Sequence, residues 1–153
     1  MPNNRLSEHV EELEAAECLD LLDSVSVGRV GVTIEALPAV FPVRFVMSEG
    51  AVIFRTVPGT KFDAATEESV VAFEADEEGT APDPTRWSVL VRGIARPLTE
   101  PEELSAARAL PLGSWAWEGK ADRFVRIYPT VITGWRVAER ASAREHARTG
   151  SVG

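Results

Sequence analysis

Cysteine is almost absent: Cys18 stands alone in a chain of 153 residues. A lone thiol cannot form an intrachain disulfide and suits a reducing compartment. Histidine is nearly as scarce, with His9 and His146 close to opposite ends. Without a cysteine cluster beside them, a zinc site has nothing to build on. Nor does any Ser-His-Asp or Cys-His arrangement support hydrolysis. Basic charge is in deficit, sixteen Lys and Arg against twenty-four Asp and Glu, for a formal charge of -8. That balance speaks against general nucleic-acid binding, which needs a basic surface, yet leaves room for a local basic pocket around a small anion. No apolar run reaches the ~18 residues of a membrane span. The acidic start, MPNNRLSEHVEELEAAE, lacks the apolar stretch of a signal peptide. These absences lead to the expectation of a cytosolic protein with neither membrane nor nucleic acid as partner.

What is present reads as one mainly β domain. An apolar content of 44% is ordinary for a globular chain and can build one core at this length. Leu13 to Leu22 has helical periodicity. Ser24 to Ile34 switches to β-branched residues with two glycines, a strand with a bend or bulge. After a polar link at Glu35 to Leu37, strands follow at Ala39 to Met47 and Ala51 to Thr56, joined by the turn Ser48-Glu49-Gly50. Thr60 is placed to cap a short helix starting at Lys61. Further strands are predicted at Val70 to Ala75 and Trp87 to Leu98, separated by an acidic loop from Glu77 to Thr85. A helix follows from Pro101 to Leu110, then a β segment from Arg123 to Val137 interrupted at Pro129. The domain spans residues 1–140, and 141–153 form a polar tail expected to fray. Strands of this length with few hairpin signals favour a closed or split barrel, because closure removes edges.

The stretch FRTVPGTKFDAA, from Phe54 to Ala65, concentrates the chemistry. A strand ends in Arg55 and Thr56, turns through Pro58-Gly59 and enters a helix at Thr60-Lys61. Guanidinium, ammonium, hydroxyls and helix-start N–H groups together suit a phosphate. The alternative is that Thr60 only caps the helix while Arg55 and Lys61 are solvated charges.

The ordered set GRVGV, PAVFPVRFV, VIFRTVPGTK, VAFEAD, WSVLVRGIARPLTEPEE and FVRIYPTVITGWRV resembles the FMN-binding split-barrel proteins of the pyridoxamine 5′-phosphate oxidase-like family, deazaflavin-using relatives included. The likeness spans roughly residues 10 to 137. It implies a six-stranded Greek-key split β-barrel with short flanking helices, dimerised so that each cofactor lies in a groove between subunits. On this resemblance Arg55, Thr56, Thr60 and Lys61 would grip the phosphate of FMN or of a deazaflavin. Phe41, Pro42, Val43, Arg44 and Phe45 would form the strand along the ring, with main-chain groups of Val43 and Arg44 at its polar edge; an apolar strand such as AVFPV reads equally as core. Trp87 and Ser88 fall where similar proteins contact the ribityl chain or phosphate, although Trp87 also reads as an ordinary strand-end aromatic. Trp115 and Trp117, in the loop LGSWAWEGK, would reach the partner's cofactor or plug one barrel end. Trp135 reads as core or dimer interface.

Enzymes that oxidise pyridoxamine phosphate carry further basic residues near the C-terminus, and Arg136 and Arg140 do not align with those roles. The expected function is therefore another flavin reaction, hydride or electron transfer to a small organic acceptor, with no catalytic side chain assigned. The alternative is a non-catalytic module that carries flavin or haem.

Overall fold

Alternation of burial makes the strands. In the longest regular example, Trp87, Val89, Val91 and Ala95 point inward while Arg86, Arg92, Ile94 and Arg96 face solvent, the period of two expected of a half-buried sheet. The computed structural model describes residues 9–79, 85–113 and 120–138. Its elements are β1 (His9–Glu12), α1 (Ala15–Asp23), β2 (Val27–Ile34), β3 (Leu37–Ser48), β4 (Ala51–Thr56), α2 (Lys61–Ala65), β5 (Ser69–Glu78), β6 (Arg86–Pro97), α3 (Pro101–Arg108) and β7 (Arg123–Ala138). All pairings are antiparallel, in the order β1-β7-β4-β3-β2-β5-β6, and β6 returns to pair with β7. Six strands thus close a barrel. Hairpin-linked β2, β3 and β4 are followed by β5, which lies beside β2, and this is the Greek key.

The mainly β Greek-key barrel with short helices is the expected architecture, and three details differ. A seventh strand, β1, adds to the end of β7 through His9↔Ala138 to Glu12↔Trp135. The segment Glu77 to Glu78, expected to be loop, extends β5 through pairing with Trp87 and Arg86. Pro129 does not interrupt β7, which runs through it for 16 residues. Between Arg92↔Val131 and Gly93↔Pro129 the register slips and Thr130 is the extra residue, so a β-bulge absorbs the proline. Gly93 makes that bulge possible, because a β-carbon there would collide with the carbonyl oxygen of Tyr128. Gly93→Ala should therefore cost about 1–3 kcal/mol through backbone displacement. An unchanged denaturation midpoint would show that the bulge yields freely.

The barrel is split where β3 changes partner. Leu37 to Arg44 pair with β2, whereas Phe45 to Ser48 pair with β4. Past Phe54, β4 leaves β3, and Arg55 and Thr56 pair only with β7. Inside, Val30, Val43, Phe54, Phe73, Val89 and Ile127 form the main core, closed at one side by Cys18 and Leu22 of α1. A second cluster, Ile53, Leu98, Ala107 and Phe124, seats α3 against the outside of β4 and β7. Burial, with Glu17 adding to it, pushes the Cys18 thiol up. Cys18 should accordingly resist a thiol reagent in the native protein and react at once on unfolding; rapid native labelling would contradict its burial. Among the described residues no helix is long and apolar enough to cross a membrane.

Candidate functional site

The split opens into a cleft of about 450 Å³, within the ~300–1,000 Å³ range of small-molecule sites. Phe41, Pro42 and Val43 of β3 form one wall, and Arg55, Thr56 and Val57 at the end of β4 form the other. Phe62 of α2 lies between them, stacked on Phe41 at a centroid distance of 4.6 Å. Thr60, Lys61, Ile34 and Ala121 complete the lining. Among the described residues the lining is therefore an apolar slot with two cations and no carboxylate.

The turn that carries those cations is built on a buried acid. Asp63 is 4% exposed. One carboxylate oxygen accepts from Thr56 Oγ1 at 2.6 Å. The other accepts from the Gly59 amide at 3.1 Å and from Arg123 at 3.3 Å. Thr60 caps α2, its Oγ1 accepting from the Asp63 amide at 3.0 Å and donating to the Val57 carbonyl at 2.8 Å. Gly59 adopts φ 83 at the tip of the turn, a left-handed value that suits glycine. Strand end, turn and helix start are thus tied to one carboxylate.

The structure brings together seven of the thirteen expected site residues: Phe41, Pro42, Val43, Arg55, Thr56, Thr60 and Lys61. Their roles divide. The hydroxyl protons of Thr56 and Thr60 are committed to Asp63 and Val57, and the Gly59 and Asp63 amides are bonded within the turn. Neither threonine offers its proton to the cleft, so the capping reading of Thr60 is the structural one. Arg55 and Lys61 remain the charged donors. Arg55 spends part of its guanidinium on the carbonyls of Leu112 and Gly113, at 3.2 and 3.0 Å. Lys61 meets Glu35 at 3.3 Å, with both side chains largely exposed.

Arg44, Phe45, Trp87 and Ser88 lie outside this lining. Phe45 is a barrel-core residue, edge-on to Phe73 at 4.7 Å, and Arg44 packs beneath Gly113 rather than lining the cleft. Trp87, 5% exposed, belongs to the core because it shares its inward phase with Val89 and Val91. Ser88 faces outward and donates to Glu74 at 3.1 Å. Its acceptor Glu74 and the nearby Asp76 both pair with Arg29, at 2.6 and 3.2 Å. Trp135 is a 44% exposed outer-face residue. Trp115 and Trp117 lie outside the described residues. Sequence reasoning missed Phe62, Val57, Ile34 and Ala121 as lining, and Asp63 as the support. The pattern Thr60-x-x-Asp63, a variant of the capping box, was the available signal.

A family model described as pyridoxamine 5′-phosphate oxidase matches residues 14–136. The chain belongs to this family. Uncharacterized protein Rv0080 of Mycobacterium tuberculosis is 39% identical over 136 residues, which are 84% of this chain and 86% of that protein. Among solved structures, the FAD binding protein from Mycobacterium smegmatis is 38% identical with a TM-score of 0.71, over 83% of this chain and 98% of that one. A Corynebacterium glutamicum structure is similar at 37% identity and a TM-score of 0.73, over 84% and 93% of the two chains.

Proposed function

We propose that this family member binds a flavin, FAD in preference to the FMN expected from the sequence, in the split between β3 and β4, and uses it to transfer hydride or electrons to a small organic acceptor. The observation that carries the reading is the polarity of the cleft: an apolar slot walled by Phe41, Pro42, Val43 and Phe62 that ends at Arg55 and Lys61. A planar tricyclic ring needs the first and an anionic phosphate needs the second. The preference for FAD rests on the M. smegmatis protein described as FAD binding, 38% identical over most of both chains. A bound flavin supplies the redox chemistry. The chain's own residues hold and orient it: Arg55 and Lys61 fix the phosphate end, Phe62 and β3 exclude water from the ring, and Asp63 keeps the two cations in register. A deazaflavin has the same ribityl-phosphate stem and meets the same residues. The cytosol is the compartment that suits a protein whose one thiol is reduced and buried.

Titration of the purified chain with FAD should show saturable binding with perturbed flavin absorbance, and steady turnover when a reductant and an acceptor are added. Failure to bind FAD or FMN at micromolar concentration would overturn the reading. A second reading, a flavin-holding module without turnover, is favoured by one feature: among the described residues the lining contains no Asp, Glu, His, Cys or Tyr, hence no side chain there suited to exchange a proton with a substrate. Stoichiometric binding without turnover across several acceptors would select it.

A homodimer belongs to the same proposal. Val70, Ile94 and Tyr128 are exposed by 76, 39 and 47%, and they are directly paired across β5, β6 and β7. Three adjacent apolar side chains on an outer sheet face form a patch that a second subunit would cover. Light scattering at micromolar concentration should give a dimer for the native chain and a monomer for Ile94→Lys. A native monomer with flavin bound would exclude an intersubunit site.

A further inference from the structure

Beside the cleft lies a second hollow of about 250 Å³, and the two share Ile34 and Lys61. Thr33, near the end of β2, and Glu35, just past it, form one side of it; Ala64 and Ala65 of α2 form the other. Lys61, Ala64 and Ala65 occupy one face of the helix, at spacings of three and four. Two alanines there leave a low shelf where larger side chains would raise a ridge.

The rim of this shelf is unusual in its backbone. Ile34 pairs with Leu37, so Glu35 and Ala36 alone make the hairpin loop. Both have positive φ, 52 and 66. A two-residue loop with this conformation is ordinarily given to Asn-Gly or Asp-Gly, and non-glycine residues hold it under strain. It sets Glu35 against Lys61, in a pair whose side chains are 77 and 73% exposed. Such a pair contributes little and yields readily to a competing anion.

We propose that the shelf takes the adenylate half of the flavin dinucleotide, with the pyrophosphate crossing Lys61 where the two hollows meet. The inference rests on the flavin reading above and extends it to the second nucleotide. Among the described residues Lys61 is the one cation lining both hollows, as a diphosphate bridge between two half-sites requires. Displacement of Glu35 by that bridge frees the ammonium at small cost. The alanine face offers a flat apolar bed for a purine, with the exposed Thr33 hydroxyl at its margin.

The test compares FAD with FMN by fluorescence titration of the full chain. The native protein should bind FAD at least about tenfold more tightly than FMN, because only FAD reaches the shelf. Ala64→Glu sets a carboxylate on the exposed shelf and should reduce FAD affinity to within about threefold of FMN, leaving the FMN constant unchanged. Thr33→Glu, on the opposite side, should act likewise and serves if Ala64→Glu fails to fold, as circular dichroism would reveal. Equal native affinities for the two flavins would overturn the shelf while leaving the flavin site standing. So would an FAD preference that survives both substitutions. If neither flavin binds the native chain, the flavin reading itself fails and takes the shelf with it.

Discussion

Asp63→Ala should lower the melting temperature by roughly 6–12 °C and abolish tight flavin binding with it. The carboxylate is buried and accepts from Thr56, from the Gly59 amide and from Arg123. Removing one partner of a buried ion pair costs about 3–5 kcal/mol. The lower end applies here, because Arg123 keeps a contact of 3.2 Å with Glu67. The freed Thr56 hydroxyl and Gly59 amide then lose the group that holds the turn, so Lys61 is no longer fixed in the cleft lining with Arg55. Asp63→Asn separates the effects. It retains a side-chain acceptor and most of the turn but removes the charge opposite Arg123, so its loss of stability should be smaller than that of Asp63→Ala. Thermal denaturation and flavin titration of both variants measure this. A melting temperature unchanged in Asp63→Ala would mean that the turn is held by its backbone alone.

The double substitution Arg55→Ala, Lys61→Ala should weaken flavin binding by about a hundredfold or more. Each charge-assisted contact to a phosphate contributes ~1.5–3 kcal/mol, and tenfold in affinity corresponds to about 1.4 kcal/mol. Lys61→Ala alone should account for about tenfold, and Arg55→Ala for at least as much because its guanidinium also anchors the carbonyls of Leu112 and Gly113. Arg55→Lys would restore the charge without the fork that reaches both carbonyls, so partial recovery distinguishes the two contributions. Rising salt should weaken the native complex and leave the double variant nearly indifferent, since exposed charges are screened. Equal dissociation constants for native and double variant would show the cations to be surface charges only.

Where the fold was legible in the sequence, local chemistry and tertiary structure agreed. The turn Ser48-Glu49-Gly50 supplied a hairpin signal, and Ser48 does pair with Ala51 around it. Thr60 was legible as a cap because its residue type and its place after Pro58-Gly59 both ask for one. By contrast, His9 to Glu12 carries one apolar residue and is exposed throughout; only its distant partner on β7 makes it a strand. Pro129 reads as a break because proline removes an amide, and nothing local reveals that Gly93, 36 positions earlier, makes room for a bulge. The site shows the same division. Arg55 and Lys61 stand out as cations around a turn, whereas Asp63 shows only as a cap partner of Thr60, and its burial and its bond to the distant Arg123 are tertiary. The inward place of Trp87 was legible too, since strand phase alone puts it on the same face as Val89 and Val91.

Of the seven strands, β7 is the last in sequence, and it bonds to β1, β4 and β6. During synthesis, every earlier strand emerges from the ribosome before the one that completes the ring. Until then the free margins of β4 and β6 are open to pairing with other chains. Until β7 emerges, the nascent barrel therefore waits as a sheet with two sticky seams, and aggregation competes with closure in that interval. Truncation anywhere before residue 123 should yield insoluble material rather than a smaller folded domain, and overexpression should be limited more by the crowding of unfinished chains than by the stability of finished ones.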